Sequence, residues 1–238
     1  MRAEKPKGLV KMMVVRSVAA LLTLSAIFFL PAWTLKYWQA WVYMAVIFIP
    51  MLGIVLYFLK DKPEFLARRM NMKEKAVEQK LVIKLSFLPL ILAFLFPGFD
   101  VRLGWSNLPS WLVLLSNVIV LLGYGLVFLV FRENSFASRI VEVMDGQKVI
   151  TTGAYALVRH PMYLGSIIMY LFSPLALGSA WAVLLALFMI PVLVVRIIGE
   201  EKLLTSDLPG YAEYTQKVRY RLFPGIWYSN QWSCDYAE

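Results

Sequence analysis

The sequence predicts an all-α integral membrane protein with about six transmembrane helices. Of its 238 residues, 60% are hydrophobic and only 16% are charged, whereas soluble domains contain about 25% charged residues. The apolar residues are gathered into stretches of roughly 20 residues, the length that crosses a bilayer as a helix. The loops between these stretches differ sharply in Lys and Arg content, as is typical of membrane proteins. This composition argues against a water-soluble globule.

Six apolar stretches are the predicted membrane helices, and the last two are shorter than the rest. Gly178-Ser179-Ala180 joins the fifth stretch to the sixth, and these two stretches contain Pro174 and Pro191. We therefore expect them to form a short, tight helical hairpin. The six stretches are residues 14–33, 40–59, 81–96, 111–131, 162–177 and 181–198.

Loop charge predicts which ends of the spans face the cytoplasm. Segment 60–80 contains seven Lys and Arg residues, whereas the loops around Lys36 and Arg102 contain one each. The positive-inside rule then places both termini in the cytoplasm. The net charge of +9 is explained by loops that face anionic membrane lipid, so no nucleic-acid partner is expected. Segment 60–80 is either an amphipathic helix on the membrane surface or a plain connecting loop.

The chain divides into an N-terminal part, 1–110, with three spans and the basic linker, and a C-terminal part, 111–238. The polar segment 132–161 is too short for a separate folded core, so we expect an ordered functional loop. The chain has one cysteine, Cys234, and one histidine, His160. Neither a disulfide framework nor a metal site is expected from so few ligands.

The start of the fifth span carries the first group of candidate site residues. Pro161 favours an extended backbone at His160 and a helix that begins at Pro161 itself. Unpaired N–H groups in that first turn suit a carboxylate or hydroxyl ligand, and Gly165 would let a ligand approach the backbone closely. A purely structural interpretation is also open, with a charged cap here and Tyr163 as an interfacial anchor.

The second group lies at the end of the sixth span. Arg196 falls within an apolar run, where an unpaired charge costs several kcal/mol. Glu200 follows four residues later on the same helix face, whereas Glu201 points elsewhere. One interpretation is a local ion pair, with Arg196 reaching the lipid headgroups. The other is a site for a cationic ligand, because two carboxylates near a helix C-terminus are otherwise unfavourable.

Six polar motifs follow one another along roughly the C-terminal half of the chain. They are Arg132-Glu133-Asn134-Ser135, Gln147-Lys148-Val149-Ile150-Thr151-Thr152-Gly153-Ala154-Tyr155, Arg159-His160-Pro161-Met162-Tyr163-Leu164-Gly165, Arg196-x3-Glu200-Glu201, Gly210-Tyr211-x2-Tyr214 and Arg219-Tyr220-Arg221-Leu222-x-Pro224. In this order they resemble the isoprenylcysteine carboxyl methyltransferase family. The third motif alone is less specific, since phospholipid methyltransferases and sterol-reductase-like relatives share it.

The resemblance implies an S-adenosylmethionine-dependent membrane methyltransferase whose core is 111–238, with its cofactor site on the cytoplasmic side. By position, it implies that Glu200 contacts the cofactor and that Arg196 lies near a substrate carboxylate. The family's upstream cofactor glutamine has no clear match near Ile140. The other cofactor contacts that the resemblance implies are Gln147, Lys148, Val149, Ile150, Tyr155, His160, Pro161, Met162 and Tyr163.

The resemblance also implies a lipophilic or lipidated acceptor that enters from the bilayer, with carboxyl O-methylation of a prenylcysteine-like substrate as the archetype. A carboxylate is already ionised at neutral pH, so it needs only a cation such as Arg196 to orient it. An amine or thiol acceptor would have to lose a proton, with Glu201, Tyr163 or His160 as candidate acceptors. Arg196 and Glu201 are therefore the predicted catalytic residues.

Several alternatives to carboxyl methylation stay open. The nearest are phospholipid N-methylation and thiol S-methylation, which keep the same cofactor. A sterol-reductase-like enzyme would bind NADPH instead. A transporter or membrane adaptor without catalysis would use Arg196 and Glu200 only structurally. The oligomeric state is not predicted.

Overall fold

A computed structural model describes residues 8–71, 77–137, 140 and 142–228. Within these ranges the regular structure is helical apart from one small β-hairpin. The predicted features at Cys234, at 72–76 in the basic linker and at Ser138, Arg139 and Val141 lie outside the described residues. The elements are α1 (Leu9–Ala32), α2 (Trp38–Asp61), α3 (Pro63–Asn71), α4 (Val77–Leu103), α5 (Ser110–Glu133), the 3-10 turn Gly153–Ala156, α6 (Pro161–Ala176), α7 (Ala182–Leu187), α8 (Met189–Asp207), α9 (Tyr211–Lys217), β1 (Tyr220–Phe223) and β2 (Ile226–Tyr228).

Four helical stretches in the described part of the chain are long and apolar enough to cross a membrane. They are Leu9–Ala32, Trp38–Asp61, Ser110–Glu133 and Ala182–Asp207. The predicted class, an all-α integral membrane protein, is confirmed. The two other predicted stretches are also helical, as the longer α4 and the 16-residue α6. The exact number of crossings and the orientation of the termini stay predictions.

The turn between α6 and α7 closes the predicted hairpin, and a buried carboxylate holds it. Asp100, at the end of α4, is fully buried. It accepts hydrogen bonds from the backbone N–H and hydroxyl of Ser106, at 2.6 and 2.7 Å, and from the Ser179 hydroxyl. The Tyr37 hydroxyl donates to the Leu177 carbonyl at 2.5 Å in the same turn. These bonds tie α4 and the start of α2 to the hairpin.

Helices α5 and α6 approach each other closely at two glycines. A Cβ on Gly165 would lie 2.8 Å from the Gly123 carbonyl oxygen, and a Cβ on Gly123 would lie 3.0 Å from the Gly165 carbonyl oxygen. Gly165 is therefore needed for helix packing of the kind that small residues permit in membranes. The expectation that Gly165 admits a ligand to the backbone was wrong, because the α5 backbone already occupies that space.

This contact gives a direct prediction for Gly165→Ala. The added methyl group meets backbone rather than a flexible side chain, so α5 and α6 must move apart. We expect a loss of about 1–3 kcal/mol in stability, the usual cost of overpacking. Thermal unfolding of the purified protein in detergent measures it, with Gly125→Ala as the control, because a Cβ there has nothing within 4 Å. Equal melting temperatures for the two variants would contradict the packing role.

The first part of the basic linker forms α3, a nine-residue helix. Its apolar side chains Phe65 and Leu66 are 3% and 8% exposed. They pack within the protein, in a cluster that includes Phe58 of α2 and Val130 of α5. The helical interpretation of this part of the linker is confirmed. Whether the linker also lies on the membrane surface, one of the two interpretations above, stays a prediction.

Candidate functional site

A cleft lies where the loop after α5 meets the beginning of α6, the end of α8, and α9. It encloses about 750 Å³ of empty space, including the part that opens to solvent. The lining combines charged and amide side chains from the α5–α6 loop with leucines of α8 and tyrosines of α9.

Most of the cofactor contacts implied by the sequence resemblance come together in this cleft. Those that line it are Gln147, Lys148, Val149, Ile150, Tyr155, His160, Met162 and Glu200. Two of the set are not among its lining residues: Pro161, which is buried at the start of α6, and Tyr163, which contacts Glu200 instead. The two predicted catalytic residues, Arg196 and Glu201, lie beside the cleft on α8 rather than in its lining.

Tyr163 links Arg196 to Glu200. The Tyr163 hydroxyl donates to Glu200 Oε2 at 2.5 Å and accepts from Arg196 Nε at 3.0 Å. Tyr163 itself is 6% exposed. The arrangement differs from a simple ion pair along the helix, because a hydroxyl from α6 is inserted between the two charged groups. One Glu200 oxygen is thus held in place while the side chain still lines the cleft.

Glu201 points away from Glu200, as expected, and forms a buried cluster with three basic side chains. Arg159 Nε and His160 Nε2 contact Glu201 Oε1 at 2.7 and 3.0 Å, and Arg221 Nε contacts Oε2 at 2.7 Å. The Arg159 side chain is 1% exposed and the Glu201 side chain 11%. We call these four residues the Glu201 cluster. Both carboxylate oxygens are engaged, so the geometry favours a structural role for Glu201 over proton transfer.

The Glu201 cluster also fixes the β-hairpin against the start of α6. The backbone N–H groups of Arg159 and His160 donate to the carbonyls of Tyr220 and Arg221, at 2.9 and 3.0 Å. The Arg159 guanidinium donates in addition to the carbonyl of Val218 at 3.1 Å. The sequence motif included these residues, but nothing in their local pattern indicated this pairing, because the partners lie about 40 to 60 positions apart.

Tyrosines on the far side of the cleft complete its wall. Burial is the main cause that raises the pKa of Tyr155 to about 12, so its hydroxyl stays protonated and accepts a hydrogen bond from Asn134 Nδ2 at 2.9 Å. The Tyr214 hydroxyl donates to the Tyr155 carbonyl at 2.7 Å. The sequence did not predict Asn134, Tyr211 or Tyr214 as cleft residues, although all three belong to the six polar motifs.

Tyr211 is the unusual member of this wall. Its hydroxyl is buried and has no hydrogen-bond partner within the described part of the chain. Burial, with the charges of Glu201 and Glu200, raises its pKa well above the ordinary value, so the hydroxyl stays neutral. A buried hydroxyl without a partner costs free energy.

Comparison with known proteins finds a family similarity over one segment of the chain. Residues 111–208 match the family model for phospholipid methyltransferases. The match runs from α5 to the end of α8, which includes Glu200 and the loop lining the cleft, but it covers less than half of the chain. No curated protein matches the chain. The match indicates an integral membrane methyltransferase, a class in which S-adenosylmethionine is the implied methyl donor.

The charged and aromatic side chains of the cleft suit the chemical groups of S-adenosylmethionine. The amino-acid end of that molecule carries an ammonium and a carboxylate, and the cleft lining offers Glu200 and Lys148 as opposite charges. An aromatic ring can stack on the adenine of that molecule and attract its positively charged sulfonium. Tyr155 and Tyr211 of the cleft lining supply such rings.

Proposed function

We propose that the protein transfers a methyl group from S-adenosylmethionine to a lipophilic acceptor that reaches the site from the bilayer. The first candidate acceptor is a prenylcysteine-like carboxylate, which would become a methyl ester. The single observation that carries the proposal is that Glu200, which follows the apolar part of α8, lines a cleft together with seven other residues of the implied cofactor set.

The chain's own residues would act by binding and orientation. When bound, the cofactor supplies an electrophilic methyl group on a sulfonium. Glu200, held by the Tyr163 hydroxyl at 2.5 Å, would bind the ammonium group through a charge-assisted hydrogen bond. Alignment of the acceptor with the methyl group and exclusion of water then account for most of the acceleration.

Arg196 is the group proposed to orient a carboxylate acceptor. It lies one helical turn before Glu200 on α8, and its Nε donates to the Tyr163 hydroxyl at 3.0 Å. A guanidinium presents several N–H donors in one plane, a geometry that matches the two oxygens of a carboxylate. A carboxylate acceptor is ionised at neutral pH, which makes a general base unnecessary.

Methylation of a phospholipid amine is a second candidate, and the family match favours it. An ammonium headgroup would have to lose a proton before attack. The Tyr163–Glu200 hydrogen bond of 2.5 Å offers a route for that proton, with the Tyr163 hydroxyl as relay and the Glu200 carboxylate as acceptor. In this case Arg196 would be a poor partner for the acceptor, since both would be cationic.

The test of the proposal is calorimetric titration of the detergent-purified protein with S-adenosylhomocysteine, with NADPH as the comparison ligand. Saturable binding of the homocysteine product supports the methyltransferase proposal and justifies a screen of radiolabelled acceptors. A folded sample that binds neither ligand would overturn it. NADPH binding would move the reductase alternative to first place.

Arg196→Gln separates the two acceptor classes. On a carboxylate acceptor we expect turnover to fall about 100-fold or more, because orientation is lost, while binding of S-adenosylhomocysteine stays nearly unchanged. Methyl transfer to vesicles that contain phosphatidylethanolamine is measured beside transfer to a prenylcysteine analogue. Arg196→Lys is the control that keeps the charge without the guanidinium geometry. If Arg196→Gln retained full turnover on the prenylcysteine analogue, the proposal that Arg196 orients a carboxylate acceptor would be wrong.

A further inference from the structure

One wall of the cleft is held by basic residues that lie far away in the sequence. Arg69 Nη1 donates to the Ala137 carbonyl at 2.8 Å, and Arg68 Nη2 donates to the Ser135 carbonyl at 3.1 Å. Lys62, just before α3, donates from Nζ to the Arg132 carbonyl at 3.1 Å. Arg68 and Arg69 thus bind the backbone of the segment that follows α5, and Lys62 binds the last turn of α5 itself.

Helix α3 is itself packed against neighbouring helices, so the arginine side chains that it carries are held in position. The Arg69 guanidinium lies over the Phe131 ring, 4.1 Å from its centroid. Phe65, on the same helix, packs against the rings of Phe58 and Phe131 with centroids 5.0 and 5.7 Å apart. Both cation–π contacts and aromatic pairs of this kind stabilise packing. Helix α3 is therefore anchored to α2 and α5 through its apolar side.

The segment that α3 holds is also part of the cleft. Asn134, Phe136 and Ala137 all line it, and Ala137 is the residue whose carbonyl accepts from Arg69. Asn134 in turn bonds the Tyr155 hydroxyl at 2.9 Å. The chain of contacts runs from the α3 guanidinium groups, through this backbone, to a tyrosine of the implied cofactor site.

We propose that α3 is a positioning element for the cofactor cleft, with Arg68 and Arg69 as the positioning residues. Neither arginine lines the cleft, and both lie outside the segment that matches the methyltransferase family model. The family-like part of the chain is thus incomplete as a cofactor site without this piece of the N-terminal part. The inference rests on the proposed function, since the ligand of the cleft is taken to be S-adenosylmethionine.

The test compares Arg68→Gln/Arg69→Gln with Lys36→Gln/Lys60→Gln in the full-length protein. Both double variants remove two positive charges, but Lys36 and Lys60 are exposed and their side chains make none of the contacts that hold the segment after α5. S-adenosylhomocysteine affinity is measured by calorimetry. Amide hydrogen exchange is followed at residues 134–137 and 142–150 without any ligand. Thermal unfolding shows whether each variant is folded.

For the arginine double variant we expect affinity to fall about tenfold, because a displaced wall no longer matches the ligand. Amide exchange of the two segments should become faster while the lysine double variant behaves as wild type. Arg69→Lys should restore part of the effect, since it keeps one charged donor. Unchanged affinity and exchange in a folded arginine variant would overturn the inference. Failure of the wild type to bind S-adenosylhomocysteine would instead overturn the proposed function, and the exchange result would still decide whether α3 holds the wall.

Discussion

Glu201→Ala is expected to destabilise the folded protein by about 3–5 kcal/mol, the usual cost of removing one partner from a buried ion pair. The change leaves Arg159, whose side chain is 1% exposed, without its carboxylate partner. It also removes the acceptor of His160 Nε2 and of Arg221 Nε. Thermal or denaturant unfolding in a fixed detergent measures the loss, and we expect the β-hairpin to become protease-sensitive first.

Two further variants separate the charge of Glu201 from its position. Glu201→Gln keeps one acceptor oxygen in place, so its effect should lie between those of the wild type and Glu201→Ala. Glu213→Ala removes an exposed carboxylate from α9 and should be nearly neutral. A Glu201→Ala protein with wild-type stability but no turnover would instead support the catalytic role predicted from the sequence.

Hydropathy and loop charge were sufficient to predict the fold class. A chain that crosses lipid must form long apolar helices, because their backbone N–H and C=O groups are hydrogen-bonded within the helix. All six predicted stretches are helical, and α6 begins at Pro161 as predicted. The apolar run of the sixth stretch ends at residue 198, whereas α8 continues to Asp207. Its polar last turns carry Glu200 and Glu201, and apolarity alone gives no signal for a helix that continues beyond its apolar run.

The cleft was only partly predictable, because its members come from segments distant in the sequence. The residues implied by the resemblance meet there, but their meeting depends on tertiary contacts such as Arg159 with Glu201 and Arg69 with Ala137. Gly165 shows why a local signal can mislead. A glycine near a helix start permits close approach of either a ligand or another helix, and only the position of α5 decides between them.

The second large effect is expected for Glu200→Gln, which should weaken S-adenosylhomocysteine binding by about 1.5–3 kcal/mol, the scale for a hydrogen bond to a charged group. This corresponds to roughly 10- to 150-fold in the dissociation constant. The glutamine still offers an oxygen to the Tyr163 hydroxyl, so stability should change much less than affinity. Calorimetry gives the affinity, and thermal unfolding without ligand gives the stability.

Two controls decide whether the lost affinity reflects direct contact with the ligand. Glu142 also lines the cleft, so Glu142→Gln reports the effect of removing any negative charge from its wall. Tyr163→Phe leaves Glu200 charged but removes the hydroxyl that donates to it at 2.5 Å, so its effect should be smaller than that of Glu200→Gln. Equal losses of affinity in Glu142→Gln and Glu200→Gln would mean that the ligand is attracted by the summed negative charge of the cleft wall and not by direct contact with Glu200. If only Glu200→Gln lost affinity and its stability were preserved, the Glu200 carboxylate would be assigned as the group that binds the ligand's ammonium. If Glu200 served only as a structural ion-pair partner of Arg196, the substitution would instead lower stability and leave affinity unchanged.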